Sequence, residues 1–407
     1  NDDVSPYAFL STYNLMDGNK NAYQTILNGK VMQALRASVI ANPTLTWENT
    51  LTYNAGFDFT MWNGLLGMEF DAFYNYTYDI LTAMGGDYPP SMGGYYYTYA
   101  NYNKVDSKGV EITVSHRNKL NLAGKPFSYG ASFNLTFARN RYLRYPDSPN
   151  TVEWRKRTGR SVDASVVWVA EGLFRSEEEI DNSAWYGTRP NVGDIKYKDI
   201  NGDGMVDKLD MVPLTHSTYP LLMYGLGAEI RYKNLTLGVL FKGTGKTSFF
   251  YVGQKTTVND ETRLNGMGYM PFFEGNTGNV LTLAANPANR WIPKDYAIAH
   301  GIDPSLAENK DARFPRLQYG NNSNNSQLST FWQGDSRYIR LQEITLSYHL
   351  AAAFLRRIGV SSLDIQFVGN NLYVWDKVKL FDPEQARWNG RVYPIPSTYS
   401  LQLYVNL

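Results

Sequence analysis

The stretch Asp199-Ile200-Asn201-Gly202-Asp203-Gly204-Met205-Val206-Asp207-Lys208-Leu209-Asp210 carries oxygen-bearing side chains at positions 1, 3, 5, 9 and 12. That is the ligand spacing of a calcium loop. Calcium is a hard cation that takes six to eight oxygens; Met205 would offer its backbone carbonyl at position 7, and Gly204 would supply the sharp turn at position 6. Position 12 is Asp rather than a bidentate Glu and no helical periodicity flanks the loop. The pattern therefore predicts a static, structural calcium site formed by Asp199, Asn201, Asp203, Met205, Asp207 and Asp210. The alternative is an Asp/Asn/Gly-rich turn satisfied by its own hydrogen bonds.

Other motifs carry less. Gly243-Thr244-Gly245-Lys246-Thr247 ends like a phosphate-binding loop, but the position of its leading glycine is Leu240, and it follows a strand without opening a helix. The run from Gly93 to Tyr102 sets Tyr95, Tyr96, Tyr97, Tyr99 and Tyr102 on a flexible backbone, where rings could stack on sugars or line a peptide groove. Trp291, beside Arg290, and Trp388 invite the same substrate-binding reading, against the alternative of interface girdle or loop packing. The four histidines are scattered and Glu177-Glu178-Glu179 reads as a solvated face, so no catalytic constellation stands out and an enzyme is not expected.

These motifs lie between nine segments of apolar/polar alternation: Trp47 to Met61, Leu65 to Tyr78, Val105 to Arg117, Phe127 to Tyr142, Tyr219 to Lys233, Leu235 to Thr247, Asp335 to Leu350, Ser362 to Trp375 and Ile395 to Leu407. Period two puts one set of side chains on each face of a strand. In the first, Leu51, Tyr53, Phe57 and Met61 oppose Thr52, Asn54, Asp58 and Thr60. A lumenal wall would take Asn54, Asp58, Glu69, Asp71, Glu111 and Glu229. Short links, among them an Asn63-Gly64 type I′ signal, alternate with long ones at Asp79 to Lys104, Leu143 to Thr218, Ser248 to Gly334 and Asp376 to Pro394. Bacterial outer-membrane barrels pair short periplasmic turns with long extracellular loops in this way. The fold expected is all-β, a transmembrane antiparallel β-barrel.

Composition agrees. Mean hydropathy is −0.40, and no stretch approaches the ~18 apolar residues of a membrane helix. Net charge is +1, without a basic block, so nucleic acid is not a partner implied here. Cysteine is absent, which removes disulfides and thiolate sites; 31 Tyr and 9 Trp suit the aromatic girdles of a membrane barrel better than an ordinary core. Nine strands leave an odd count, whereas closed bacterial barrels have an even one. Residues 1–46 form an upstream segment in which Lys30 to Ile40 could add a crossing; otherwise upstream barrel lies outside this chain.

The landmarks Asn42-Pro43-Thr44-Leu45-Thr46-Trp47-Glu48, Ser107-Lys108-Gly109-Val110-Glu111, Glu171-Gly172-Leu173-Phe174, Gly193-Asp194 through Gly204, Asn289-Arg290-Trp291, Tyr338-Ile339-Arg340-Leu341, Gly369-Asn370-Asn371-Leu372 and Asp382-Pro383-Glu384 occur in that order. In this the chain resembles the C-terminal half of the SusC/RagA-type TonB-dependent transporters of Bacteroidetes outer membranes. The resemblance implies a barrel of about 22 strands, of which roughly nine or ten lie in residues 47–407, filled by an N-terminal plug. The plug and the TonB box are expected outside this chain. It further implies import of oligosaccharides, or of oligopeptides, beneath a SusD-like surface lipoprotein, with TonB supplying energy and outer-membrane lipid as surroundings. Connections 143–218, with the calcium-type motif, and 248–334 would form the extracellular mouth. A passive pore or surface adhesin is the alternative from another class. The family usually closes on an aromatic residue, whereas this chain closes on Leu407.

Overall fold

A computed structural model describes the chain apart from residues 1–8, 11–12, 16–23, 34, 38–41, 85–98, 215–217, 259–260, 269–281, 310, 319–321, 352–354, 356 and 389–391. All nine expected strands form, and they make one antiparallel sheet in chain order. They are β1 (Asn49–Met61), β2 (Leu66–Ala83), β3 (Tyr99–Leu122), β4 (Lys125–Arg144), β5 (Leu222–Tyr232), β6 (Leu235–Gly245), β7 (Tyr338–Leu350), β8 (Ser362–Asp376) and β9 (Thr398–Asn406). Among the described residues β1 and β9 are the free edges. Among the described residues Lys30 to Ile40 forms no crossing: Lys30–Gln33 pairs with Gln24–Leu27 and Leu35–Ala37 with Tyr13–Leu15, each in its own two-stranded sheet. Four-residue and three-residue strands are far shorter than the ~9 to 11 residues a tilted crossing needs.

Alternation is the reason these residues pair. Leu51, Tyr53, Phe57 and Met61 of β1 are exposed, as are Tyr399, Leu401, Leu403 and Val405 of β9, so one face of the sheet is a continuous apolar surface. Such a face is stable only against lipid or another apolar layer. On the polar face Gly56 makes room for a neighbour, since a Cβ there would lie 2.3 Å from Asp71 Oδ1. Of the residues expected to line a lumen, Glu229 lies in a polar-walled cavity of about 650 Å³ with Ser132, Glu343, Thr345 and Gln366.

Turns depart from expectation at one link. Asn63-Gly64 is not a two-residue type I′ turn; the link runs Trp62 to Leu65, with φ of 52° at Trp62, 54° at Asn63 and 86° at Gly64. The two-residue turn appears instead at Ala123-Gly124, where φ is 50° and 71°. Both positions of a type I′ turn require positive φ, which matches the twist of the strands it joins. Lys233-Asn234 links β5 and β6 as expected, Tyr232 pairing with Leu235.

β7 and β8 carry irregularities. Leu240 pairs with Glu343 and Phe241 with Leu341, so Gln342 is an extra residue; opposite it on β8 the pairing jumps from Tyr373 to Asn370. A single inserted residue reverses the faces beyond it. Ile339 is exposed before the bulge, and Leu346 and Tyr348 after it.

The chain divides into two compact units. The first comprises Asn1–Ala55, Ala72–Gly109 and Arg139–Val162. In it the Asn101 amide donates to the carbonyls of Thr46 (2.7 Å) and Asp79 (2.6 Å) and accepts from the Thr46 N–H. Arg141 chelates Asp106, whose side chain is buried, at 2.9 and 3.1 Å from Nε and 2.9 Å from Nη2. The second comprises Gly56–Asp71, Val110–Ala138 and Asp163–Leu407, and the connections between its strands fold into a lobe with a hydrophobic core of its own.

Candidate functional site

The lobe draws on the connection before β5 and the one between β6 and β7. Trp168, Leu173, Ile195, Tyr197, Val206, Trp291, Phe314 and Trp332 form its buried cluster. A second cluster joins Val167, Phe249 and Phe250 to Val378 and Ala386, bringing in the connection between β8 and β9. Segments that read as loops are thus packed like a domain, because their aromatic residues bury more apolar area than a solvated loop would.

Two landmark motifs meet in this core. Gly193, at φ 89°, lies against the indole of Trp291, where an added Cβ would come within 2.2 Å of the ring. Next to it Asp194 is buried: it accepts from the Asn191 N–H (2.9 Å), Asn325 Nδ2 (2.8 Å) and Asn322 Nδ2 (3.2 Å), and Arg316 Nε lies 2.8 Å from its Oδ1. A buried carboxylate is tolerable when charge and hydrogen bonds surround it in this way. Tyr197 donates to the Asn324 carbonyl at 2.6 Å, and burial pushes its phenol well above the usual range.

The structure relocates several expected substrate residues. Trp291 is 6% exposed and packs in the core, so it offers no stacking surface. Tyr99 and Tyr102 belong to the first residues of β3 rather than to a loop; the Arg144 guanidinium covers the Tyr102 ring at 3.9 Å. Trp388 ends the turn Pro383–Trp388, but its side chain, like Tyr95, Tyr96 and Tyr97 altogether, lies outside the described residues.

The Asp199–Asp210 loop folds around its own amides. Asp199 accepts from the N–H of Gly202 (2.6 Å) and Gly204 (2.9 Å), Asn201 from Asp203, and Asp203 from Met205. Asp207 caps the turn through Leu209 N–H. Asp210, fully buried, accepts from Ile200, Asn201 and Asp207. Met205 is exposed. Among the described residues no group of three or more acidic or histidine side chains is gathered to hold a metal. An oxygen that accepts one N–H retains a second lone pair, so these hydrogen bonds and a bound cation are not mutually exclusive.

One polar cluster escaped the sequence reading although both its motifs were noted. Arg340, on β7 and 2% exposed, places Nη2 2.5 Å from both oxygens of Asp382 and Nε 2.7 Å from Glu384 Oε1. Lys242 of β6 holds the other oxygen of Glu384 at 3.0 Å. The segment after β8 is thereby pinned to the polar face of β6 and β7. Nothing in the sequence signals the pairing beyond the polar residue at an inward position.

The family described as TonB dependent receptor-like, beta-barrel matches residues 1–269. TonB-dependent receptor P26 of Formosa agariphila is 26% identical over 406 residues, covering 94% of this chain and 37% of that protein. TonB-dependent receptor SusC of Bacteroides thetaiotaomicron is 24% identical over 221 residues, 52% of this chain and 20% of that protein. Among solved structures, the RagAB peptide transporter aligns with all of this chain and 39% of its own at a TM-score of 0.64 and 17% identity, a likeness of fold. The chain thus spans little more than a third of the length of P26. The family is one of transporters, not enzymes, and with its nine-stranded sheet, lipid-compatible face and long connections at one end, the chain belongs to the TonB-dependent receptor β-barrels of the outer membrane.

Proposed function

We propose that this chain is the C-terminal barrel portion of a TonB-dependent importer that admits oligosaccharides beneath a SusD-like surface lipoprotein. The observation that carries the reading is the lobe: connections from three places in the sheet fold into one packed body at the long-loop end. A rigid mouth of this kind gives a lid a surface on which to dock. The resemblance of the sequence landmarks to SusC/RagA-type transporters puts a glycan first. The fold shared with the RagAB peptide transporter supports an oligopeptide as the second reading.

The test uses the full-length protein in its native outer membrane. A surface lipoprotein is expected to co-purify in mild detergent, the purified barrel to be nearly silent in a planar bilayer, and glycan uptake to stop when TonB is disabled. Steady conductance without the lipoprotein would instead indicate a passive pore. TonB-dependent uptake of peptides but not glycans would select the second reading.

A calcium ion stiffening the Asp199–Asp210 loop is part of the same proposal, and it rests on ligand spacing. Calorimetric titration of the full-length protein is expected to show saturable binding of calcium that is lost on Asp203→Ala. No heat at millimolar calcium would remove it.

A further inference from the structure

Three cations meet on the lipid-compatible face of the sheet, at the end from which the long connections leave. Along β7 and β8 exposure alternates, so Arg337 shares a face with exposed Ile339, and Lys377 with exposed Tyr373 and Trp375. Lys246, one residue past β6, places its ammonium 4.9 Å from the centre of the Phe137 ring. The rings of Phe241 and Trp375 lie 6.4 Å apart, and Tyr373 meets Trp375 edge-on at 4.7 Å. Rings on the outer face near a barrel rim mark the membrane interface. The cations stand just beyond that belt, at headgroup height.

A cavity of about 360 Å³ opens between Lys246 and Arg337, lined also by Thr247, Ser248, Gln333 and Asp335. Asp335 is its one carboxylate, and it is already committed. It takes Nε and Nη2 of Arg337 at 2.6 to 2.9 Å, and Lys377 approaches it at 3.6 Å. The Arg337 guanidinium holds this carboxyl below its usual range. Nη1 of Arg337 has no partner among the described residues. Asp376, the next acid along, is occupied by Lys379 at 3.8 Å. Lys246, Arg337 and Lys377 against Asp335 leave three positive charges and one negative, a net +2. Lys246 also holds φ at 52°, a left-handed conformation that costs any residue other than glycine.

Uncompensated positive charge at the edge of a low-dielectric layer calls for an anion, and Arg and Lys together suit a phosphate. We propose that this cavity binds the phosphate of an outer-leaflet lipid headgroup, held by Lys246 and Arg337 with Lys377 at its edge, while the acyl chains lie along Ile339 and Trp375. The site is separate from solute passage, being on the outer wall. It would anchor the barrel at a fixed depth and beside a particular class of lipid.

The test places the full-length protein in nanodiscs of phosphatidylcholine, alone or doped with monophosphoryl lipid A, and counts retained lipids by native mass spectrometry. The wild type is expected to retain lipid A, and Lys246→Gln/Arg337→Gln to hold it roughly tenfold or more weakly. Lys246→Arg, which keeps the charge, and Lys198→Gln, which removes an exposed charge from the lobe, should retain it. If the double variant does not assemble, Lys246→Gln set against Lys246→Arg carries the same test. Equal retention by the charge-removing and charge-keeping variants would overturn the proposal. Displacement of lipid A by inorganic phosphate at equal concentration would also overturn it, marking a free-anion site.

Discussion

Arg340→Ala is expected to destabilise the full-length barrel by about 3 to 5 kcal/mol and to free the segment after β8 for proteolysis. The size follows from what is left behind. Arg340 is buried and binds Asp382 and Glu384 together; without it the half-buried Asp382 is left with no cation among the described residues and Glu384 keeps only Lys242, and breaking a largely buried pair from one side costs that much. Lys242 stays on Glu384 but has no contact with Asp382 among the described residues. Arg340→Lys should recover part of the loss, because an ammonium cannot reproduce the guanidinium fork that serves both acids. Denaturant unfolding and limited proteolysis read the two effects. An unchanged midpoint with the segment still protected would mean that the cluster adds nothing to stability.

Phe57→Arg is the second large effect, expected to cost about 2 to 4 kcal/mol, as a charge near the middle of a barrel's lipid face does. Phe57 is 52% exposed and stacks on Phe70 of the next strand, ring centres 5.2 Å apart. In water an exposed Phe-to-Arg change is close to neutral, so the size of the penalty reports the solvent outside the barrel. Asp58→Arg, one residue along on the opposite face, is the control. Reconstituted protein unfolded in parallel would show a large loss for Phe57 alone. Equal and small losses would argue that this face does not meet lipid.

The strands were legible because lipid on one side and water on the other write a period of two into the chain. All nine were placed, and their ends were misjudged where a strand continues beyond the stretch that alternates. Tyr99 to Lys104 is such a case, six residues of β3 with no apolar/polar rhythm. The bulge at Gln342 was visible only as a stumble between Leu341 and Ile344. The lobe was less legible. A core assembled from irregular backbone has no period, so Trp291 looked like a surface ring on a loop although Gly193 exists to receive it. Arg340 and its acids lie 42 and 44 residues apart, and charge alone does not say which distant carboxylate an inward arginine meets.

The lobe also has a mechanical consequence for the wall it surmounts. Its strands Ser248–Phe250 and Gln333–Asp335 pair with each other directly beyond β6 and β7, separated from them by only two residues on each side. A slip of one residue between β6 and β7 would shift their ends by about 3.3 Å and turn every side chain to the wrong face. Two residues cannot absorb that shift while Phe249 and Phe250 stay buried. The lobe therefore works as a ratchet pawl on the sheet, holding these two strands in frame from above the membrane, where the hydrogen-bond ladder alone would be indifferent to sliding.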